Sequence, residues 1–258
     1  MTTLVEVKHE GHVAIVTLNR PEKLNALTDE MYNRVTDLFT QFKTGDSVRA
    51  VIITGAGRAF CAGSDVTTMV NAGVVAGRAR MQTRHAMINA IVNLEKPVIA
   101  AVHGATVGIG FSIAMACDLI VAAESTKFSQ IFKKIGLVPD GGSVYFLVQR
   151  LGLARAKELV YTARMLPAQE ALTWGLINRV VPDAELLPNA LALAQEMAGS
   201  ATFALALAKK MFQGLYSPTL EMALEQENLS QSVVKLTDDH LEGVAAFKEK
   251  RAAVFKGK

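Results

Sequence analysis

Three places in the chain carry residue types and spacings suited to chemistry. The first is the run Lys96–Gly142, KPVIAAVHGATVGIGFSIAMACDLIVAAESTKFSQIFKKIGLVPDGG. An apolar strand passes through glycines 104, 108 and 110 into a helix of small residues. Glycine lets a backbone turn sharply, and the helix that follows points free N–H groups and its positive dipole end at a ligand. Such a turn builds an anion hole; it also serves simply to pack a helix closely on a sheet. The second place is the loop Ala59–Asp65, AFCAGSD, after an apolar strand ending at Thr54. Loops at the carboxyl ends of strands hold ligands in open α/β sheets, so a donor N–H here faces the glycine-rich turn. A plain strand-to-helix connection capped by Asp65 accounts for the same residues. The third is Asp140 in Pro-Asp-Gly-Gly. It is a carboxylate set on a tight turn, or a turn former and nothing more. An oxyanion hole with one carboxylate base suffices for enolate chemistry.

Other chemistries find little support. The glycine spacing is not a dinucleotide fingerprint, and there is no phosphate-binding Gly-Lys-Ser/Thr. His9, His12, His85, His103 and His240 have no partners at ligand spacing, so no metal site is expected. Cys61 and Cys117 sit among small apolar residues and read as buried reduced thiols.

Elements must bring these places together. Residues 4–8 and 12–18 alternate as a hairpin around His9-Glu10-Gly11. Thr28 caps a helix to about Lys43, with Leu27, Met31, Val35, Leu38 and Phe42 at helical spacing. Arg49–Thr54, Val98–Val102, Leu119–Ala122 and Ile177–Val181 read as strands. Continuous apolar strands alternating with helices predict a mostly parallel sheet covered on both faces. Val66–Leu94 reads as helix broken near Gly73 and Gly77. Gly141–Arg150 and Ala154–Tyr161 read as helices, and Pro167 opens another that Gly175 stops. Beyond Asp183 the chain reads as helices at about 183–198, 201–213, 218–236 and 239–250. The division is therefore an α/β core over 1–182 and a helical region over 183–258.

The chain has 258 residues, half of them apolar, and a net charge of +3. That fits one sizeable domain and gives no dense basic face for nucleic acid. A local basic excess at Lys248, Lys250, Arg251, Lys256 and Lys258 reads as a solvated helix end or as a contact for ligand phosphates. The N-terminal stretch has neither a signal peptide nor a transit pattern, no apolar run reaches membrane-span length, and the C-terminal FKGK is not a peroxisomal address. The expected location is the cytoplasm, with no membrane partner.

In order along the chain stand Asn19-Arg20-Pro21, Asn25-Ala26-Leu27, Ala62-Gly63-Ser64-Asp65, Lys96-Pro97-Val98 to Asp118, Phe128…Gly136…Pro139, and Glu242-Gly243…Phe247…Arg251…Phe255. This set resembles the crotonase superfamily, the enoyl-CoA hydratase and isomerase family. The resemblance implies an α/β spiral of ββα units with a helical C-terminal trimerisation region. It also implies an acyl-CoA thioester substrate, no separate cofactor, and a homotrimer or dimer of trimers. Two backbone N–H groups would grip the thioester oxygen, at Ser64 and Ile109. The CoA would run along Lys23, Asn25, Ala26, Leu27, Ala62, Asp65, Val66 and Gly110, with Lys248 and Lys256 at its phosphates. Val66, Met69, Val70, Met87, Phe132 and Leu137 suggest an apolar acyl pocket.

The departure from the family pattern decides the expected reaction. Hydratases of the family use two glutamates, and their positions here hold Ser112 and Phe132. Isomerase members place one acid at the Pro-Asp/Glu-Gly corner, as Asp140 is placed. Those that act on phenylacetate-derived thioesters look most alike. The expectation is an enoyl-CoA isomerase with Asp140 as acid/base. The alternatives are hydration by another group, a dehalogenase-like reaction with Asp140 as nucleophile, or a CoA-thioester-binding protein without catalysis.

Overall fold

The computed structural model describes residues 3–68, 73–214 and 219–258. The N-terminal apolar alternation gives β1 (Val5–Glu10) and β2 (Val13–Leu18), antiparallel across a turn at Gly11-His12. The Thr28 hydroxyl accepts from Met31 N and starts α1 (Asp29–Gln41), which buries Met31, Tyr32, Val35, Leu38 and Phe39. Then follow β3 (Ala50–Gly55), α2 (Gly73–Val92), β4 (Val98–Val102), β5 (Ala105–Val107), α3 (Ile109–Ala116), β6 (Leu119–Ala123) and β7 (Lys127–Ser129). A 3-10 turn spans Ile131–Ile135 before α4 (Ser143–Thr162), β8 (Leu166–Pro167), α5 (Ala168–Thr173) and β9 (Arg179–Val181). The remainder is α6 (Leu186–Ala198), α7 (Thr202–Gly214), α8 (Leu220–Val234) and α9 (Asp238–Glu249).

The large sheet has the order β1-β2-β3-β4-β6-β9, with every pair after the first parallel. Side chains alternate across it with period two, and both faces are covered. Val51 and Ile53 of β3 and Val98, Ala100 and Val102 of β4 point into a core shared with α1–α5. Ala50, Ile52, Ile99 and Ala101 point the other way, onto Leu186, Ala190, Ala194 and Ala198 of α6. Although α6 lies in the C-terminal helical stretch, it serves as one wall of the sheet.

Two features differ from the sequence expectation. Gly77 does not break α2, which runs through it; only Gly73 marks an end, with φ +74°. The two helices expected at 141–150 and 154–161 are both present along α4, divided by a kink at Gly152, whose φ of +74° and ψ of 170° are not helical. A small second sheet, β5-β7-β8, has no counterpart in the sequence reading. Its strands have two or three residues, too few for an alternation to show. Among the described residues no single helix is long and apolar enough to cross a membrane. Both cysteines are free and buried, and no His/Cys/Asp/Glu group among the described residues could hold a metal ion.

Candidate active site

The site forms where the carboxyl ends of β3 and β4 meet the second sheet. The loop after β3 lies along β5 as though it were a further strand. Phe60 N donates to His103 O at 2.8 Å, Cys61 N to Ala105 O at 3.0 Å, and Val107 N to Cys61 O at 3.0 Å. On its other side Leu27 N donates to Gly63 O and Asp65 N to Leu27 O, at 2.8 and 2.9 Å. The loop is thus held by backbone bonds on both edges, and Ser64 sits between them. Gly108 caps α3, and a Cβ added to it would be in van der Waals contact with Gly63 Cα, at 3.7 Å. The N–H groups of Ser64, Ile109 and Gly110 find no acceptor among the described residues. Two of them, Ser64 and Ile109, are the expected grip on the thioester oxygen. Gly110 is required by space. A Cβ there would meet Cys61 Cβ at 2.6 Å and Cys61 O at 2.7 Å. The Cys61 thiol beneath is buried, and burial pushes it up to about 12, so it stays an inert neutral group.

Asp140, in the turn before α4, lies against the first turn of α3. Its carbonyl oxygen accepts from the hydroxyls of Ser112 at 3.0 Å and Ser143 at 2.5 Å, and the two hydroxyls contact each other at 2.7 Å. Gly141, at φ +62°, lies against α3 so tightly that a Cβ would come within 2.9 Å of Ser112 Cβ and meet the Ile109 side chain. The corner is therefore seated directly on α3, whose first N–H groups are the expected anion hole.

The carboxyl group of Asp140 is nearly covered, with a tenth of its side chain exposed. Oδ2 accepts from Arg84 Nη1 at 2.9 Å. Oδ1 is buried without a hydrogen-bond partner. Burial pushes this carboxyl above the ordinary range; the Arg84 guanidinium opposes the rise, and His85 does so more weakly. Arg84 also lies 5.7 Å from the Tyr32 ring centroid. The Tyr32 hydroxyl in turn contacts Ser64 Oγ at 2.7 Å. Burial raises the phenol far above its usual value, so Tyr32 is neutral.

Apolar side chains surround this centre. Phe132 is buried, and its ring tip lies beside Gly108. Val66, Leu137 and Val138, near Asp65 and Asp140 in the chain, are exposed. Met87 is wholly buried in the core behind α2, so its side chain does not line an open pocket. Met69 and Val70 lie outside the described residues.

The expected CoA track divides into two kinds of residue. Lys23 is exposed and Ala26 and Ala62 are half-buried, so their surfaces are open to a ligand. The side chains of Asn25, Leu27 and Asp65 are not. Asn25 Oδ1 accepts from Arg20 N, while Nδ2 donates to Ala56 O and Ala59 O at 2.9 and 2.7 Å. Leu27 is core. Asp65 accepts from the Thr67 hydroxyl at 2.7 Å and from Arg20 at 2.6 Å, and these partners hold its carboxyl down at about 2. These three residues shape the loop and offer the ligand only backbone. Within the chain, Lys256 lines a cavity with Arg49, Lys96 and Lys210, at the amino ends of β3 and β4 and away from the anion hole. Lys248 lines a second one with Phe203, Val244 and Phe255.

Arg84, Tyr32 and Ser143 were not among the residues singled out from sequence. Arg84 carried one readable signal. It shares a helical face with Met87, Ile88 and Ile91, all buried, so a charge heads an otherwise apolar stripe.

The profile of a family described as enoyl-CoA hydratase/isomerase matches residues 8–258. The 1,2-epoxyphenylacetyl-CoA isomerase of Escherichia coli K12 is 36% identical over 253 residues, which span 96% of this chain and 97% of that one. The carnitinyl-CoA dehydratase of the same strain is 38% identical over an alignment of 267 positions that covers 100% of each chain. Among solved structures, an enoyl-CoA hydratase from Bacillus anthracis superposes with a TM-score of 0.95 at 33% identity, over 99% of this chain and 100% of that one.

Proposed function

Because the chain belongs to the enoyl-CoA hydratase/isomerase family, we propose that it moves a double bond in an acyl-CoA thioester, from 3-enoyl to 2-enoyl, with Asp140 as its acid/base. The Asp140 carboxylate takes a proton from C2. The C–H electron pair enters the thioester, and the dienolate oxygen is held by the N–H groups of Ser64 and Ile109. The same carboxyl returns the proton at C4, leaving the double bond at C2–C3. No redox change occurs and no cofactor enters, since CoA arrives as part of the substrate. Asp140 is raised by burial toward a working range for a base, and the backbone donors stabilise the charge as it develops.

One observation carries the reading. The positions of the two hydratase glutamates hold Ser112, whose hydroxyl is committed to the Asp140 carbonyl, and Phe132, which walls the hole with carbon. Asp140 is then the acid beside the hole, and a base shuttling a proton between C2 and C4 gains from walls that exclude water.

The test uses 3-hexenoyl-CoA and 2-hexenoyl-CoA, following conjugation and hydration separately. Asp140→Asn keeps the size of the side chain and removes the base. The expected loss of 3-to-2 isomerisation is about 10²–10⁴-fold. Unchanged isomerisation by the folded variant, or hydration that matches isomerisation in the wild type, overturns the reading.

A further inference from the structure

We propose that Arg84 is a positioning residue for the base: it claims one oxygen of Asp140, leaves the other as the proton acceptor, and ties the base to the loop that carries the anion hole. This inference rests on the isomerase reading and extends it to a residue outside the reacting atoms.

The geometry supports each part. Arg84 Nη1 and Asp140 Oδ2 meet at 2.9 Å, with side chains only 14% and 10% exposed. A charged hydrogen bond at such a place is short, directional and little screened. Rotation of the carboxyl about Cβ–Cγ would break it. The Ser112 and Ser143 hydroxyls fix the main-chain carbonyl of the same residue. Both ends of Asp140 are therefore pinned, and of its two carboxyl oxygens Oδ1 is the one without a hydrogen-bond partner. A buried carboxylate oxygen without a partner is a desolvation cost left uncompensated. A site that exists to take a proton at that oxygen gives the cost a purpose.

The second link runs through Tyr32. The guanidinium packs over the Tyr32 ring, and the Tyr32 hydroxyl contacts Ser64 Oγ. Base and oxyanion donor are thus spaced by one chain of contacts, Asp140–Arg84–Tyr32–Ser64, that crosses from α2 to α1 to the loop after β3. The groups whose charge acts on Asp140 are Arg84 and His85 on α2; neutral Tyr32 on α1 completes the set. Arg84 is the main cation opposing the rise caused by burial. Its removal sends the carboxyl further up, and the base is then protonated at a pH where the wild type is active.

The experiment is the pH profile of 3-hexenoyl-CoA isomerisation by wild type, Arg84→Met and Arg84→Lys, with thermal melting and circular dichroism to establish folding. In Arg84→Met the acid limb of kcat/KM moves up by about 1 pH unit or more. The plateau kcat falls about tenfold or more because the base is no longer aimed, and KM stays within about twofold. Arg84→Lys keeps the charge and loses the planar guanidinium that packs over the Tyr32 ring while bonding Oδ2, so the limb returns toward wild type while the plateau stays low. It also serves as the reading variant should Arg84→Met fail to fold. In an Asp140→Asn background, Arg84→Met changes the residual rate by less than about twofold, since no base remains to position. A folded Arg84 variant with an unmoved limb and an unchanged plateau overturns the inference. So does a full Arg84 effect that persists without Asp140. Failure of the base assignment is distinguishable, because there Asp140→Asn alone leaves the rate intact.

Discussion

At the scale of single residues, the site is defined by what stands where a second acid would be. Ser112 is an ordinary small residue by sequence, but it holds the main chain of Asp140 while Gly141 presses on its Cβ. A longer side chain cannot enter without lifting the corner. We expect Ser112→Glu to create no hydratase. Overpacking alone costs about 1–3 kcal/mol, and an unpaired buried carboxylate adds to it. The measurement is hydration of 2-hexenoyl-CoA beside the melting temperature: the variant should melt lower, lose isomerisation and gain no hydration. Asp140 stands out in the sequence as a turn carboxylate, and its expected role as base, like those of Ser64 and Ile109 as donors, comes from the resemblance alone. Arg84 and Tyr32 were not legible, because their contacts join residues more than fifty and about thirty positions apart, a separation no local pattern encodes. Asn25 and Leu27 were legible as members of the site but not in their manner. Burial decides whether a side chain or only its backbone faces a ligand, and burial follows from packing.

At the scale of elements, the anion hole depends on two loops being sewn together. Cys61 bridges Thr106 in parallel-strand fashion, and Gly110 lets α3 start against the Cys61 backbone. Gly110→Ala forces a methyl group to within 2.7 Å of a carbonyl oxygen, so α3 must move away from the loop. The spacing of the Ser64 and Ile109 donors then opens. Loss of one such donor typically costs about 10²–10³-fold in kcat, and we expect a fall of that order with KM little changed. A variant with near-normal kcat would show that α3 and the loop need not touch here. The long strands and α1 were plain from periodicity and capping, since both faces of β3 and β4 are apolar and Thr28 caps as its type predicts. The second sheet, on which the hole rests, was not. Its existence depends on partners already brought together by the larger sheet.

At the scale of the whole molecule, apolar surface concentrates in the C-terminal helices. Leu229, Leu236, Leu241 and Phe247 are more than half exposed on α8, α9 and their connection. Surface of this kind marks an interface. We expect a homotrimer or a dimer of trimers, and Phe247→Asp should shift the mass in sedimentation toward smaller species while leaving the folded monomer's circular dichroism intact. A monomeric wild type would refute this. Lys248 and Lys256, which line cavities that do not include Ser64 or Ile109, are the residues to follow in such an assembly for a contact with CoA phosphates bound by a neighbour.

The sewn loops have one more consequence, in the currency of hydrogen exchange. Cys61 and Val107 have their amides locked in the bridge, while those of Ser64 and Ile109 have no acceptor among the described residues. Amide protection follows local opening, so slow and fast exchange should alternate within a few residues on either side of the hole. A bound thioester would slow the two fast amides first. A deuterium-labelling experiment can therefore locate the oxyanion donors on the intact protein, before any substrate is turned over and without changing a single side chain.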